Sequence, residues 1–160
     1  MQESPVIARI KQHFGDDLIA THQHLGEDTV IIRREKIVEL ARFLKEDPEL
    51  QFNFLMDLAA VDYLPRRPRF EVVYHFFSLR NRLRLRVKVP VPEHDAVVDS
   101  LCPLWKGADW YEREVWDIFG IRFRNHPDLR RILMYDEFEG HPLRKDYPYN
   151  KRQPIIGPRD

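Results

Sequence analysis

Two segments near the start of the chain have apolar residues every three to four positions, a spacing that predicts amphipathic helices. The apolar positions are Ile7, Ile10 and Phe14 in the first segment and Ile37, Leu40, Ala41 and Leu44 in the second. Ser4-Pro5 is typical of a helix N-terminus, and Gly15 is expected to end the first helix in the left-handed conformation. Asp47-Pro48 ends the second helix, because proline has no N–H to donate inside a helix.

Alternation of apolar and polar residues predicts two β-hairpins. Residues 18–25 and 28–34 flank a glycine-containing turn and form the first. Residues 69–79 and 82–89 form the second, and the PRRP segment before it, 65–68, is predicted to be a solvated loop. The polar positions of the last strand are Arg82, Arg84, Arg86 and Lys88. This strict alternation predicts one buried face and one solvated face.

Two apolar segments do not show a clear period. Residues 52–64, FNFLMDLAAVDYL, are long enough for a helix or a buried strand, and a change from helix to strand near Ala59 is predicted. Residues 93–102, EHDAVVDSLC, lie between prolines and are predicted to form a helix with Val97 and Leu101 facing inward.

Residues 109–120, DWYEREVWDIFG, carry a well-developed helical pattern that ends at a glycine. Its apolar stripe comprises Tyr111, Val115, Ile118 and Phe119. Asp109 and Glu112 have the spacing of a capping box. Arg113 and Asp117 are four residues apart and are expected to pair.

Glu112 falls at the edge of this apolar stripe, where an unpaired carboxylate would be strongly destabilising. We therefore expect an arginine from this chain or a neighbouring one to pair with it. The candidates are Arg122, Arg124, Arg130 and Arg131. The alternative is that Glu112 caps the helix start or extends along the helix surface to water.

The composition argues against several classes of protein. Lys plus Arg and Asp plus Glu number 26 each, so there is no net charge to attract nucleic acid or anionic lipid. A cationic strand face resembles an RNA-binding sheet in outline, but the chain lacks the positive excess that such domains carry. The single Cys102 permits no internal disulfide, all-cysteine zinc site or iron–sulfur cluster, and it is expected to be structural. Neither a glycine-rich phosphate-binding fingerprint nor a G-x-S-x-G motif occurs.

Two blocks near the C-terminus carry a specific pattern. They are EREVWDIFGIRFRNHPDLRRIL, residues 112–133, and GHPLRKDYP, residues 140–148. Their signature positions are Glu112, Arg113, Glu114, Asp117, His126, Pro127, Arg130 and Arg131 in the first block and Pro142, Leu143, Arg144, Lys145, Asp146 and Tyr147 in the second. The pattern resembles the thirty-kilodalton-type subunit, known in bacteria as the C subunit, of proton-translocating NADH:quinone oxidoreductase, respiratory complex I. The resemblance implies that these residues belong to subunit interfaces.

The resemblance also implies a non-catalytic subunit of an enzyme complex, with no catalytic, cofactor-binding or metal-binding residues of its own. FMN and iron–sulfur clusters would lie in partner subunits. The partners implied are the quinone-site subunit, of the forty-nine-kilodalton type, and neighbouring iron–sulfur subunits of the hydrophilic arm. Alternatives are the equivalent subunit of a ferredoxin-dependent oxidoreductase or energy-converting hydrogenase, and a free-standing binding protein or hydrolase.

No apolar run is long enough to span a membrane, and the N-terminus does not resemble a signal peptide. The chain is therefore expected on the cytoplasmic side of the cell membrane, as a peripheral subunit held through its complex.

The element order predicts an α+β fold, a two-layer domain with a mixed sheet covered by helices on one face, at residues 1–139. Residues 140–160 are predicted to form an extended, proline-rich arm that binds a partner, because prolines suit neither helices nor central strands. The alternative is that the segment folds back on its own domain. That is expected for residues 131–135 but not beyond Gly140.

His126 and His141 each precede a proline. Single histidines this far apart are weak grounds for a metal site, so no bound metal is expected. Protonation coupled to a quinone site is an alternative for His126. A hydrogen bond that fixes the turn at Pro127 is the expected role.

Overall fold

Five strands form a mixed sheet at the centre of the protein, for which a computed structural model describes residues 4–157. The strands are β1 (Leu18–His24), β2 (Glu27–Ile32), β3 (Phe54–Asp62), β4 (Phe70–Ser78) and β5 (Leu83–Val91). They lie in the order β1-β2-β5-β4-β3, with β2 and β5 parallel and the other neighbours antiparallel. A separate parallel pair is formed by the short strands β6 (Val97–Asp99) and β7 (Arg122–Arg124).

Three helices pack their apolar stripes against this sheet. They are α1 (Pro5–Phe14), α2 (Ile37–Glu46) and α3 (Ala108–Phe119). The Ser4 hydroxyl accepts a hydrogen bond from the Val6 N–H at 3.2 Å, so the predicted cap of α1 is confirmed. Inward-facing strand residues and the helix stripes form one buried apolar cluster. The predicted α+β fold, with helices on one face of a mixed sheet, is confirmed.

The two predicted hairpins are confirmed, and their alternation sets the faces of the sheet. In β5 the side chains of Leu85, Val87 and Val89 are buried, whereas the cations between them are exposed or half-buried. The face of the sheet opposite the helices therefore carries mostly polar residues over β5.

The helix predicted at the start of residues 52–64 is wrong, because β3 pairs with β4 along its whole length. A register shift between Leu55 and Asp57 inserts one residue into the strand. This bulge interrupts the alternation of inward and outward residues, which is why the sequence does not show the period of a strand.

The helix predicted over residues 93–102 is also wrong. Glu93–Asp95 form a 3₁₀ turn, and the chain then enters β6, whose partner β7 comes after α3. Leu101 is buried as expected, but Val98 faces inward instead of Val97. Pairing with a distant segment overrides local helical spacing here.

Helix ends differ from prediction in two places. Gly15 has φ −43° and ψ −51°, so it continues into a 3₁₀ turn instead of forming a left-handed cap. The capping box is absent, since α3 begins at Ala108 after Gly107 with no side-chain cap. Gly120 does end α3, with φ 77°.

Candidate functional site

Glu112 is fully buried and receives three hydrogen bonds from the segment that precedes α3. The Ser100 hydroxyl donates to Oε2 at 2.6 Å, the Leu101 N–H donates to Oε1 at 2.7 Å, and the Cys102 thiol donates to Oε2 at 3.3 Å. The predicted arginine partner is therefore wrong within the described part of this chain, and so are the capping and solvent-exposed alternatives. Neutral donors from one short loop replace the expected cation.

Burial governs the protonation of this cluster. Burial raises the pKa of Glu112, and it raises the pKa of the Cys102 thiol to about 12. A thiol with such a pKa is a poor nucleophile, because the thiolate is the reactive form. A structural role for Cys102 remains the prediction, and its hydrogen bond to Glu112 is compatible with that role.

The side chain of His126 is completely buried beside Glu112. Its Nδ1 accepts a hydrogen bond from the Asp128 N–H at 3.0 Å, which closes the turn around Pro127. Nε2 then carries the proton, and it lies 3.2 Å from the Asp109 carbonyl oxygen and 3.9 Å from Glu112 Oε2.

The donor atoms of Cys102, Glu112 and His126 lie within 4.8 Å of one another, a spacing that a metal ion could bridge. Coordination would need a free electron pair on His126 Nε2 and a thiolate on Cys102. The hydrogen bond from Asp128 leaves the proton of the imidazole on Nε2, and the Cys102 thiol donates to Glu112. The arrangement fits a hydrogen-bond network that joins a loop, a helix and a turn.

Asp117, also fully buried, organises the chain that follows β7. Its Oδ2 accepts from the N–H groups of Ile132, Leu133 and Met134 at 3.1, 2.8 and 2.8 Å, and Oδ1 accepts from Arg131 at 2.6 Å. Burial alone would raise the pKa of Asp117, but the backbone donors and Arg131 hold it below its ordinary value. The carboxylate thus stays charged and fixes residues 131–134 against α3.

Arg131 and Arg113 bind backbone oxygens of the same region. Arg131 donates to the carbonyl oxygens of Phe138 and Gly140 at 2.8 and 3.1 Å. Arg113 donates to the carbonyl oxygens of Arg130 and Arg131, so the predicted Arg113 to Asp117 pair is wrong. Both cations satisfy carbonyl groups of a segment without regular secondary structure.

The segment from His141 to Arg144 contacts the C-terminus of α3. His141 donates to the Asp117 carbonyl oxygen at 2.9 Å, the Leu143 N–H to that of Ile118 at 3.1 Å, and Arg144 Nε to that of Phe119 at 2.6 Å. The last carbonyl groups of a helix have no hydrogen-bond donor within the helix, and this segment supplies donors for three of them.

Gly120 allows this close approach. A Cβ atom at this position would lie 2.6 Å from the His141 ring and 2.7 Å from Arg144, and φ is positive. Only glycine fits both the conformation and the space without displacement of these side chains.

A buried arginine secures the end of the same segment. Arg69, 1% exposed, binds Asp62 at 2.8 Å, Asp146 at 2.5 Å and Glu93 at 2.5 Å. Asp62 also accepts from the Lys145 N–H at 2.8 Å. Burial alone would raise the pKa of Asp62, but Arg69 and the N–H groups of Lys145 and Leu64 hold this pKa far below its ordinary value.

Sequence reasoning missed Arg69 and Asp62 as partners of the C-terminal segment. The one available signal was a cation placed directly before a long apolar strand, where burial would require acidic partners. Nothing local indicates that one partner lies 77 residues away.

The expectation that the chain leaves its own domain beyond Gly140 is wrong for residues 141–147. Tyr147 stacks on Phe138 with ring centroids 6.1 Å apart, and Tyr135 donates to the Pro154 carbonyl oxygen. Residues 158–160, which belong to the predicted arm, lie outside the described residues.

The remaining signature positions are on the surface. Glu114, Pro127 and Arg130 are exposed or half-buried, and Arg130 pairs with Asp128 at 2.8 Å. Pro142 is half-buried, and Leu143 is 55% exposed. The signature thus combines a buried half that shapes the chain with an exposed half that is available for contacts.

No helix within residues 4–157 combines the length and the apolar character needed to cross a bilayer.

Comparison with known proteins identifies the family. Residues 30–153 match the family described as "Respiratory-chain NADH dehydrogenase, 30 Kd subunit". The C subunit of the NADH-quinone oxidoreductase of Geotalea uraniireducens is 47% identical over 158 residues, which cover 98% of this chain and 95% of that protein. The corresponding C subunit from Roseiflexus sp. is 51% identical over 92% of this chain and 85% of its own length.

A solved structure agrees with this assignment. The trypsin-resistant fragment (1-134) of Nqo5 is 35% identical, has a TM-score of 0.69 and aligns with 78% of this chain and 98% of its own. A chain of the archaeal membrane-bound sulfane sulfur reductase, 22% identical with a TM-score of 0.74 over 92% of this chain and 88% of its own, shares the fold. The family resemblance in the two C-terminal blocks is thus confirmed, and the chain belongs to the 30 Kd subunit family of respiratory-chain NADH dehydrogenase.

Proposed function

We propose that this chain is a non-catalytic structural subunit of the hydrophilic arm of an NADH:quinone oxidoreductase. In that role it supports assembly of the quinone-site and iron–sulfur subunits, through which electrons pass from NADH to quinone while protons are translocated. Relatives named as the C subunit of NADH-quinone oxidoreductase, aligned over nearly their whole length, support this proposal.

One observation supports a docking role for the C-terminal segment. Large apolar side chains are exposed along a C-terminal segment that buried ion pairs anchor to the domain. They are Leu133 at 58%, Leu143 at 55%, Tyr149 at 98% and Ile155 at 99%. Several large apolar side chains exposed along one segment are typical of a protein interface. We therefore propose that the segment 140–160 binds a partner, although residues 141–147 also pack on the domain formed by residues 1–139.

The chemistry of the buried signature residues supports a structural role. Glu112, Asp117 and His126 are each engaged in hydrogen bonds to loops of the same chain. Glu112 and Asp117 are fully buried, so neither carboxylate faces solvent where a substrate could reach it. The exposed signature positions and Leu143 would then contact partner subunits.

The partners proposed are the quinone-site subunit, of the forty-nine-kilodalton type, and neighbouring iron–sulfur subunits. FMN and the iron–sulfur clusters belong to partner subunits in this proposal. The chain would be a peripheral protein on the cytoplasmic side of the membrane, held there through the complex.

Affinity purification tests the proposal. An N-terminally tagged chain, isolated from detergent-solubilised membranes, should recover the other hydrophilic-arm subunits and NADH-driven quinone reduction. The isolated chain should show no visible absorbance from flavin or clusters. Recovery of a nickel-site hydrogenase subunit would favour the related membrane complexes. Recovery of a lone, active monomer would favour a free-standing protein and contradict the proposal.

A further inference from the structure

One end of the sheet face opposite the helices carries a group of aromatic and arginine side chains, here named the Phe–Arg patch. Its members are Phe54, Phe77 and Arg84 in the strands and Leu79, Arg80 and Arg82 in the adjoining β4–β5 turn. Phe54 lies opposite Phe77, and Phe77 lies opposite Arg84, so these three side chains form a row across β3, β4 and β5. Neighbouring strands are about 4.8 Å apart, which brings the three side chains into contact distance.

The apolar part of the patch is exposed. Phe54 is 47% exposed and Leu79 is 61% exposed, while Phe77 is half-buried beneath the Arg84 guanidinium, whose carbon lies 5.8 Å from the ring centroid. Aromatic side chains, phenylalanine included, and arginine are enriched at protein interfaces relative to the rest of the protein surface.

The positive charge of the patch has no acidic partner within residues 4–157. Arg84 contacts the Phe77 ring, Arg80 donates to the Gln51 side chain at 3.3 Å, and Arg82 makes no ion pair. Two residues further along β5 the pattern changes. There Arg86 pairs with Glu27 at 2.8 Å.

Nearby carboxylates are already engaged. Glu49 pairs with Arg9 at 2.8 Å, and Asp28 accepts hydrogen bonds from Ser4 and Gln23. Beside the patch lies an open groove of about 740 Å³, whose lining combines arginines with the carboxylates of Glu27, Asp28 and Glu49. Its charges are balanced, so the cations that lack an acidic partner are those of the patch itself. The patch thus combines arginines that have no acidic partner among residues 4–157 with exposed aromatic surface.

We propose that the Phe–Arg patch docks an acidic segment of a neighbouring protein subunit that also carries an apolar side chain. This inference rests on the proposed function, and it adds a second contact on a different surface from the C-terminal segment. Carboxylates of the partner would bind the arginines with charge-assisted hydrogen bonds, and the apolar side chain would cover Phe54.

Charge reversal within the whole complex tests the inference. Cells would carry Arg82→Glu together with Arg84→Glu, and the matched control would carry Arg42→Glu with Arg66→Glu. The control pair is equivalent because Arg42 is exposed with no ion-pair partner among the described residues, and Arg66 stacks on the Tyr63 ring at 4.8 Å. We expect recovery of the assembled complex at moderate salt to fall about tenfold for the patch variant and to stay near wild type for the control. Equal recovery of the two variants would overturn the inference.

A photo-reactive amino acid at Leu79, introduced into the complex, identifies the occupant. Cross-linking to a peptide rich in Asp and Glu supports the inference, whereas cross-linking to lipid, or to no protein, overturns it. A strain that lacks the chain distinguishes failure of the proposed function from failure of the patch inference alone. If the complex assembles without the chain, the proposed function fails. If assembly needs the chain but tolerates the patch variant, only the patch inference fails.

Discussion

The Asp117 carboxylate is the group whose replacement tests the anchoring of the C-terminal segment most sharply. In Asp117→Asn, an amide replaces a buried carboxylate that accepts three backbone N–H groups at Oδ2 and Arg131 at Oδ1. If the amide oxygen keeps the backbone donors, the amide nitrogen faces the Arg131 guanidinium, which is 13% exposed and loses its counter-charge. If the amide turns over, three N–H groups face a donor instead of an acceptor.

Either orientation is costly. Removing one partner of a buried ion pair destabilises a protein by about 3 to 5 kcal/mol. A buried donor left without an acceptor costs about 1 to 3 kcal/mol, so three such donors reach at least the same range. We therefore expect Asp117→Asn to lower the free energy of unfolding by about 3 to 5 kcal/mol.

Urea denaturation followed by circular dichroism at pH 7 measures this difference. Glu114→Gln is the matched control, since it makes the same chemical change at an exposed position of α3 and should stay within about 0.5 kcal/mol of wild type. A loss below about 1 kcal/mol for Asp117→Asn would refute the argument, because it would mean that the carboxylate does not hold the segment in solution.

Three further expectations concern acid stability, backbone space and thiol reactivity. The pKa values of Asp62 and Asp117 are lowered in the folded chain, so the stability that these carboxylates contribute is present above their unfolded pKa of about 4 and is lost as the pH falls further. Urea titrations at pH 7 and pH 3 should show this loss of stability. An unchanged urea midpoint would contradict it. Gly120→Ala should destabilise the fold by more than about 1 kcal/mol, while Gly107→Ala, with open space and negative φ, should not; equal thermal melting temperatures would disprove the close approach. With a pKa of about 12, Cys102 should react with iodoacetamide at pH 8 about a thousand times more slowly in the folded chain than after denaturation, and equal rates would count against its burial.

Local patterns predict correctly those helices and strands in which distant segments do not change the spacing of apolar residues. The helix stripe containing Leu40 and Leu44 is fully buried as expected, and the alternation of β5 gives its buried and exposed faces correctly. Both depend on spacing within one segment. The bulge in β3 and the pairing of β6 with β7 depend on distant segments of the chain, so the predictions for residues 52–64 and 93–102 are wrong in part.

For the candidate site as well, local sequence predicts some features, and others depend on distant residues. Burial of a carboxylate at Glu112 was predictable from its place beside the apolar stripe. Its partners were not, because a hydroxyl, a backbone N–H and a thiol of residues 100–102 carry no charge pattern in the sequence. The pairing of Arg69 with Asp146 spans 77 residues and depends on the complete fold. For this reason a deletion of residues 140–160 should destabilise the domain, contrary to what the sequence pattern suggests.

We propose that the outer part of the C-terminal segment, residues 148–160, docks the chain into the complex. A chain lacking residues 148–160 keeps the contacts of Arg144 and Asp146 but loses the exposed side chains of Tyr149 and Ile155. It also loses the surface hydrogen bonds of Tyr135 to Pro154 and of Glu139 to Gln153. Recovery of the complex on native gels, from cells carrying only this chain, is the most direct measurement. Leu25→Ser, which removes a side chain that is 91% exposed on the distant β1–β2 turn, is its control. We expect the truncated chain to melt near the wild-type temperature while recovery of the complex falls at least about tenfold, with the control unaffected. Normal recovery of the complex with the truncated chain would contradict the claim.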